Sequence, residues 1–389
     1  MQEEKLFRKD FVFIIIINFL VFLNHLAILA TFPFYIEALG GSEAVAGMAV
    51  ALFCVVSVVC RPFIGWMLDN GKRKMILAVG LLGMLLMPLG YLFLHTLVLA
   101  FVCRMVHGAA LAFSNTSTAT IATDSVPRSR FAEGMGIFGL ATALATAVAP
   151  AIGLALMEKC GFSVLFLFGS LSIALALVLF FLLKAPNIAV EKKPLSVKGL
   201  FDKNAVPASL TAVVFMFTYG ALENFAAKFA AEKGLPSGGL FFVIMAVTVL
   251  IMRMTAGKVT DRHGEGIFAY SCNIAMFAAF LLLGLFPNTV TYLLAAVLSG
   301  FGFGGLEPAL QSMAVAPPEK RGSANSTFLC AYDIGIGIGG AIAGGLISSF
   351  GYETMFTGMS VFNLLSIVIY VLIGRNHPSS FSYRKRMAR

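Results

Sequence analysis

Long uninterrupted apolar runs alternate with short polar joints along the chain. They fall at 11–36, 43–68, 75–94, 97–123, 131–157, 162–184, 204–231, 236–260, 266–287, 289–315, 323–349 and 352–374. A helix needs about 20 residues to cross the hydrocarbon core of a bilayer. The pattern therefore predicts twelve transmembrane helices, numbered here as spans 1 to 12. Because the runs are continuous rather than alternating, a β-barrel is excluded. The first run is too long for the apolar stretch of a signal peptide, and similar runs follow it, so it reads as a span.

One long polar stretch interrupts the series, at 185–203, with Ala185-Pro186 and Glu191-Lys192-Lys193-Pro194. It divides the chain into an N-terminal bundle of six spans (1–184), a linker (185–203), a second bundle of six (204–374) and a basic tail (375–389). The expected fold is an all-α membrane protein of two six-helix bundles.

Composition narrows the class. Of 389 residues, 59% are hydrophobic and only 12% charged, against about 25% charged in a soluble globular chain. A soluble enzyme and a disordered chain are excluded. None of the six cysteines forms a CxxC pair. They read as small core residues rather than disulfides or metal ligands.

The net charge of +9 at first suggests a nucleic-acid partner. The distribution of charge argues otherwise. Of the 28 Lys and Arg, 22 fall in seven segments on one side of the predicted spans. These are the N-terminal segment, the 2–3, 4–5, 8–9 and 10–11 loops, the linker and the tail. Lys159, Lys233 and Lys228 fall on the other side, and Arg61, Arg104 and Arg253 lie inside apolar runs. By the positive-inside rule, both termini are cytoplasmic and the protein is a multi-pass protein of the inner membrane. No nucleic acid is expected; the lipid bilayer is the solvent.

The two halves repeat one another. Arg61-x3-Gly65-x3-Asp69 recurs 192 positions later as Arg253-x3-Gly257-x3-Asp261. Ala149-x-Ala151-Ile152 with Gly161-Phe162 recurs 190 positions later as Gly339-x-Ala341-Ile342 with Gly351-Tyr352. Six spans lie between copies, so the halves share one orientation. That predicts an axis along the membrane normal and a mid-membrane substrate cavity.

RPFIGWMLDNGKRK and RMTAGKVTDRHG resemble the loop 2–3 and loop 8–9 signatures of the major facilitator superfamily. The first copy is one residue shorter than the usual pattern and has Asn70 where Arg is common. The resemblance covers nearly the whole chain and implies a secondary transporter working by alternating access, without a cofactor and as a monomer. It implies that Asp69 faces span 11 and Asp261 faces span 5, each carboxylate meeting the positive end of a helix dipole. Gly65 and Gly257, one turn earlier, are expected to permit close helix approach.

Span 5 carries a small-residue stripe, Gly136, Gly139, Ala143, Ala147 and Pro150, running into Ala149-Pro150-Ala151-Ile152-Gly153. This resembles the antiporter motif of the family's drug:proton exporters, with Ala145 and Ala149 in place of two glycines. CRMVHG in span 4, with Arg104, His107 and Gly108, resembles a second motif of that group.

The remaining candidates are polar groups inside apolar sequence, which default to a functional reading. Asp333 in span 11 shares a face with Gly337, Gly340 and Gly344, which is expected to bury it between helices and suits a carboxylate that binds and releases a proton. Glu223 in span 7 and Glu307 in span 10 are further proton or substrate candidates. Glu307 precedes Pro308, so a hydrogen bond to backbone freed by the kink is its structural alternative. Asn18 and His25 share a face of span 1. Asn115 and Tyr219 are candidate cavity-lining groups.

No HExxH, GxSG or GxGD motif and no phosphate-binding loop is present, which argues against an enzyme and against ATP as the direct energy source. The expected function is proton-coupled efflux of small amphipathic molecules, drawing on a proton gradient. A metabolite or nutrient importer (symporter or uniporter) is the alternative. A lipid flippase or a non-transporting sensor fits less well.

Overall fold

The computed structural model describes residues 7–93, 96–126, 131–184, 201–314, 321–378, 380 and 383. Within these, the side chains at 69, 123, 131–133, 135–136, 147, 257–258, 261–262, 321–323 and 325–326 are not described. Among the described residues there is no strand.

The long elements are α1 (Lys9–Ala38), α2 (Glu43–Asp69), α3 (Arg73–Phe93), α4 (Leu97–Ser125), α5 (Phe131–Leu182), α6 (Val206–Glu232), α7 (Gly238–His263), α8 (Gly266–Leu285), α9 (Thr289–Ala314) and α10 (Arg321–Ile369). A 3-10 turn at Lys203–Ala205 precedes α6, and a π turn at Tyr370–Gly374 follows α10. Among the described residues, ten helices are long and apolar enough to cross a membrane. Helix is the form expected there, since the hydrocarbon offers no partner to backbone N–H and C=O groups.

Sequence periodicity separates spans 5 and 6, and 11 and 12, where the backbone runs through as α5 and α10. Each contains one non-helical residue, Gly161 (φ 80, ψ 174) in α5 and Gly351 (φ 80, ψ 171) in α10. That conformation is open essentially to glycine alone. The two residues are 190 positions apart, the spacing of the sequence repeat, and the two halves make the same bend there.

The chain forms two compact units. One comprises Met1–Thr31 with Val56–Leu195, the other Phe32–Val55 with Ser196–Arg389. The second unit thus takes in the end of α1 and the first half of α2. At its centre lies α6, almost all of whose residues from Pro207 to Ala230 are buried. Its glycine-lined neighbour α10 packs closely on it. A Cβ at Gly339 would overlap the Phe217 backbone, and one at Gly335 would lie 2.5 Å from the Val213 carbonyl oxygen.

Of the cysteines, Cys54, Cys103, Cys272 and Cys330 are buried as expected, Cys60 is half-buried, and none of the six is in a disulfide. Cys160, next to the non-helical Gly161 of α5, is exposed, against the expectation that it would be a core residue.

Candidate functional site

In the second unit four helices bring together polar and aromatic residues that are scattered in sequence. Arg253 on α7 makes an ion pair with Glu307 on α9. The carboxylate side chain is 11% exposed and the guanidinium 23%. The guanidinium also stands 5.8 Å from the centre of the Phe303 ring. One turn separates Phe303 from Glu307, so both groups of α9 address the same Arg. Phe303 in turn stacks on Tyr219 of α6, centroids 4.1 Å apart and planes 11° from parallel. Tyr219 donates its hydroxyl hydrogen to Glu223 Oε1 at 3.4 Å, one turn along α6. Tyr332 of α10 closes the group, edge-on to Phe303 at 6.4 Å. The result is two acidic groups, one permanent cation and three aromatic rings, mostly removed from water.

Arg253 of the loop 8–9 motif and Glu307, a candidate proton site, are joined in one ion pair. Pro308 lies inside α9, and the Glu307 side chain pairs with Arg253. Asp333 is half-buried rather than enclosed. The glycines on its face, Gly337, Gly340 and Gly344, meet α2 at Cys54, Val50 and Glu43, and Asp333 lies one turn beyond that contact.

In the first unit the polar residues form a hydrogen-bonded network around α1. Asn18 donates to Thr142 Oγ1 at 2.8 Å, and its Oδ1 accepts from the Thr118 hydroxyl at 2.8 Å. Asn24 donates to the Gly169 carbonyl at 2.7 Å, while its Oδ1 lies 3.2 Å from His107 Nε2. His107 Nδ1 is 3.5 Å from the Tyr91 hydroxyl. A neutral imidazole protonated at Nε2 satisfies both contacts, as donor to Asn24 and acceptor from Tyr91. His25 packs edge-on to His107, centroids 6.2 Å apart. Arg104 is fully buried one turn before His107, and Arg61 is buried on α2. Asn115 is half-buried, its backbone carbonyl accepting from Thr118.

The stripe of span 5 is partly explained by packing. A Cβ at Gly153 would overlap the Ala27 backbone of α1, and Pro150 is buried. Among the described residues, a Cβ at Gly65 would meet nothing within 4 Å. The side chains of Asp69 and Asp261, and the surroundings of Gly136 and Gly257, lie outside the described residues. At the start of α3, Arg73 pairs with Asp124 at the end of α4 and donates to the Leu68 carbonyl at 3.0 Å, so this basic residue braces its own unit.

Sequence reasoning missed a third group. Lys228, counted above with loop charges, is a buried residue of α6 that pairs with Glu37 at 2.7 Å and Glu43 at 2.8 Å. Nothing in the hydropathy pattern marks it, because it stands near the end of an apolar run and its partners read as ordinary loop acids.

A family model described as Major Facilitator Superfamily matches residues 14–315 and 236–387. The chain belongs to the major facilitator superfamily. Relatives agree across most of its length. It is 27% identical over 347 residues to an uncharacterized MFS-type transporter of Burkholderia pseudomallei, covering 84% of this chain and 83% of that one. It is 23% identical over 381 residues to the staphylopine export protein of Staphylococcus aureus, covering 92% and 94%. Among solved structures, a POT family transporter in complex with a thioalcohol-conjugated peptide superposes with a TM-score of 0.79 at 15% identity, covering 95% and 96%. A bacterial homolog of the human lysosomal transporter Spinster superposes with 0.76 at 18% identity, covering 96% and 98%. This superfamily member is therefore a multi-pass membrane transporter of small molecules and not an enzyme.

Proposed function

We propose that this transporter exports small amphipathic molecules in exchange for protons, in the manner of the drug:proton antiporters of its superfamily. The observation that carries this reading is the Arg253–Glu307 pair with Glu223 and Tyr219 beside it. Removing one partner of a buried ion pair costs about 3–5 kcal/mol. Neutralising Glu307 in this reading removes such a partner electrically and loosens the tie between α7 and α9. A membrane potential supplies about 2.3 kcal/mol per elementary charge per 100 mV, and a pH gradient adds to it. The two energies are of the same order, as a coupling device requires.

Asp333, half-buried on α10, is a second proton carrier in this reading. Arg104, His107, His25, Asn18 and Asn115 shape the first half's side of the path. Export is favoured over import by the span-5 stripe and by the similarity to a protein whose name states export. We place the protein in the inner membrane as a monomer, with both termini cytoplasmic and twelve spans in two bundles, 1–184 and 204–374. Asp69 and Asp261 latch the loop ends of the bundles.

The test is transport in inverted membrane vesicles against a panel of amphipathic compounds, with Glu307→Gln and Asp333→Asn beside the native protein. The expected result is pH-gradient-driven accumulation in the native protein and its loss in at least the Glu307 variant at normal expression. Unaltered proton coupling in Glu307→Gln overturns the assignment.

A further inference from the structure

Where α10 ends, the chain turns back on the joint between α7 and α8. Arg375 N–H donates to the Tyr370 carbonyl at 2.7 Å across the π turn. A Cβ at Gly374 would stand 2.8 Å from the Tyr370 ring, so glycine lets that ring lie against the turn. The ring also meets Tyr270 of α8 edge-on, centroids 5.8 Å apart. Between these parts is a cavity of about 280 Å³, lined by His263, Gly266, Ile267, Tyr270, Tyr370 and Arg375.

The wall of this cavity has a one-sided chemistry. Arg375 brings a permanent cation, His263 an imidazole and the tyrosines their hydroxyls, and none of the six residues is acidic. Gly266 and Ile267 are the first two residues of α8, where N–H groups have no carbonyl partner within their own helix. Glu265 is placed to cap them, yet no side chain caps this helix. Its carboxylate instead accepts from the Tyr370 hydroxyl at 3.1 Å and the Ser380 hydroxyl at 2.6 Å, and the residue is 2% exposed. The acid nearest the helix start is thus held by the tail. The positive end of a 20-residue helix is left to the cavity, beside a guanidinium. Ile267 in the wall, and Leu372 and Ile373 between Tyr370 and Arg375, are exposed apolar side chains. Acyl chains are as apolar as such residues, and basic pockets at the ends of membrane helices suit anionic headgroups.

We propose that this cavity binds a phosphate group, that of an anionic phospholipid headgroup. Arg375 takes two phosphate oxygens in the fork geometry that guanidinium and phosphate share. The first N–H groups of α8 meet a third oxygen, and the acyl chains lie over Ile267 and Leu372. The site requires only that the chain is a membrane protein, and its test does not read proton exchange.

Full-length protein in detergent is titrated with short-chain phosphatidylglycerol, short-chain phosphatidylcholine or inorganic phosphate at constant ionic strength. Thermal unfolding gives the concentration for half-maximal stabilisation. Phosphatidylglycerol is expected to stabilise the native protein at the lowest concentration. Arg375→Gln is expected to need at least about tenfold more of it, the ratio that corresponds to about 1.4 kcal/mol. His263→Gln should weaken binding in the same direction. Lys203→Gln, which removes an exposed cation elsewhere in the unit, should leave it unchanged. Native binding in both Arg375→Gln and His263→Gln overturns the proposal. An equal loss in Lys203→Gln overturns it too, since binding would then follow net charge. Equal stabilisation by phosphatidylcholine overturns the assignment to an anionic headgroup, and Arg375-dependent stabilisation by inorganic phosphate alone overturns the assignment to a lipid.

Discussion

Two residues hold most of the functional argument, and neither is interpretable alone. Glu307 is a carboxylate before a proline, and Arg253 is a cation above a loop motif; together they are a charge pair inside the membrane. The repeat contains the signal that joins them, since Arg61 and Asn115 stand 192 positions before Arg253 and Glu307. The first half therefore has the arginine without the acid, which concentrates the titratable chemistry in the second. A double-mutant cycle of Glu307→Gln and Arg253→Gln, read by thermal unfolding in detergent, is expected to show a coupling of about 1–3 kcal/mol. Additive losses would mean the pair is not formed in solution.

His377, outside the spans, gives a pH prediction of known sign. Burial holds its imidazole below the ordinary value of 6.5. The neutral form is favoured in the folded tail, so the stabilising packing is complete above 6.5 and weakens as pH falls through and below that value. Beside it, Glu265 accepts from the Ser380 hydroxyl at 2.6 Å and the Tyr370 hydroxyl at 3.1 Å. Hydrogen exchange of residues 370–380 should therefore be faster at pH 5.5 than at pH 7.5 after correction for intrinsic rates. Equal protection at both values would contradict this.

At the scale of elements, the apolar runs place nearly every helix within a few residues of its observed ends, because crossing hydrocarbon leaves the backbone no other satisfied form. The bends at Gly161 and Gly351 are legible only as glycines that recur in the repeat; periodicity cannot say whether a helix axis continues through them. Helix contact is less legible still. Gly65 and Gly339 look alike in sequence, yet among the described residues a Cβ at the first would meet nothing within 4 Å while the second is pressed on Phe217. Gly339→Ala is expected to destabilise by about 1–3 kcal/mol through overpacking. Gly65→Ala should be neutral or stabilising by up to about 1 kcal/mol, the helix-propensity gain. Comparable losses at both sites, measured by thermal unfolding, would contradict the packing described. At Gly161, Ala would have to adopt a glycine-only conformation, and a loss of about 1–3 kcal/mol is expected.

At the scale of the whole molecule, most of the net charge sorts into loops and so concerns topology rather than partners. What sequence could not supply is which buried charges meet. Lys228 with Glu37 and Glu43 joins positions 185 or more residues apart, and no local pattern encodes such a contact.

The central claim is exchange of substrate for protons, and inverted vesicles test it most directly. In them the lumen corresponds to the cell exterior, so a lumen-acid gradient should drive a transported compound inward, and adding that compound should collapse the gradient. Accumulation without proton release, or accumulation driven only by acidifying the medium, would contradict the account.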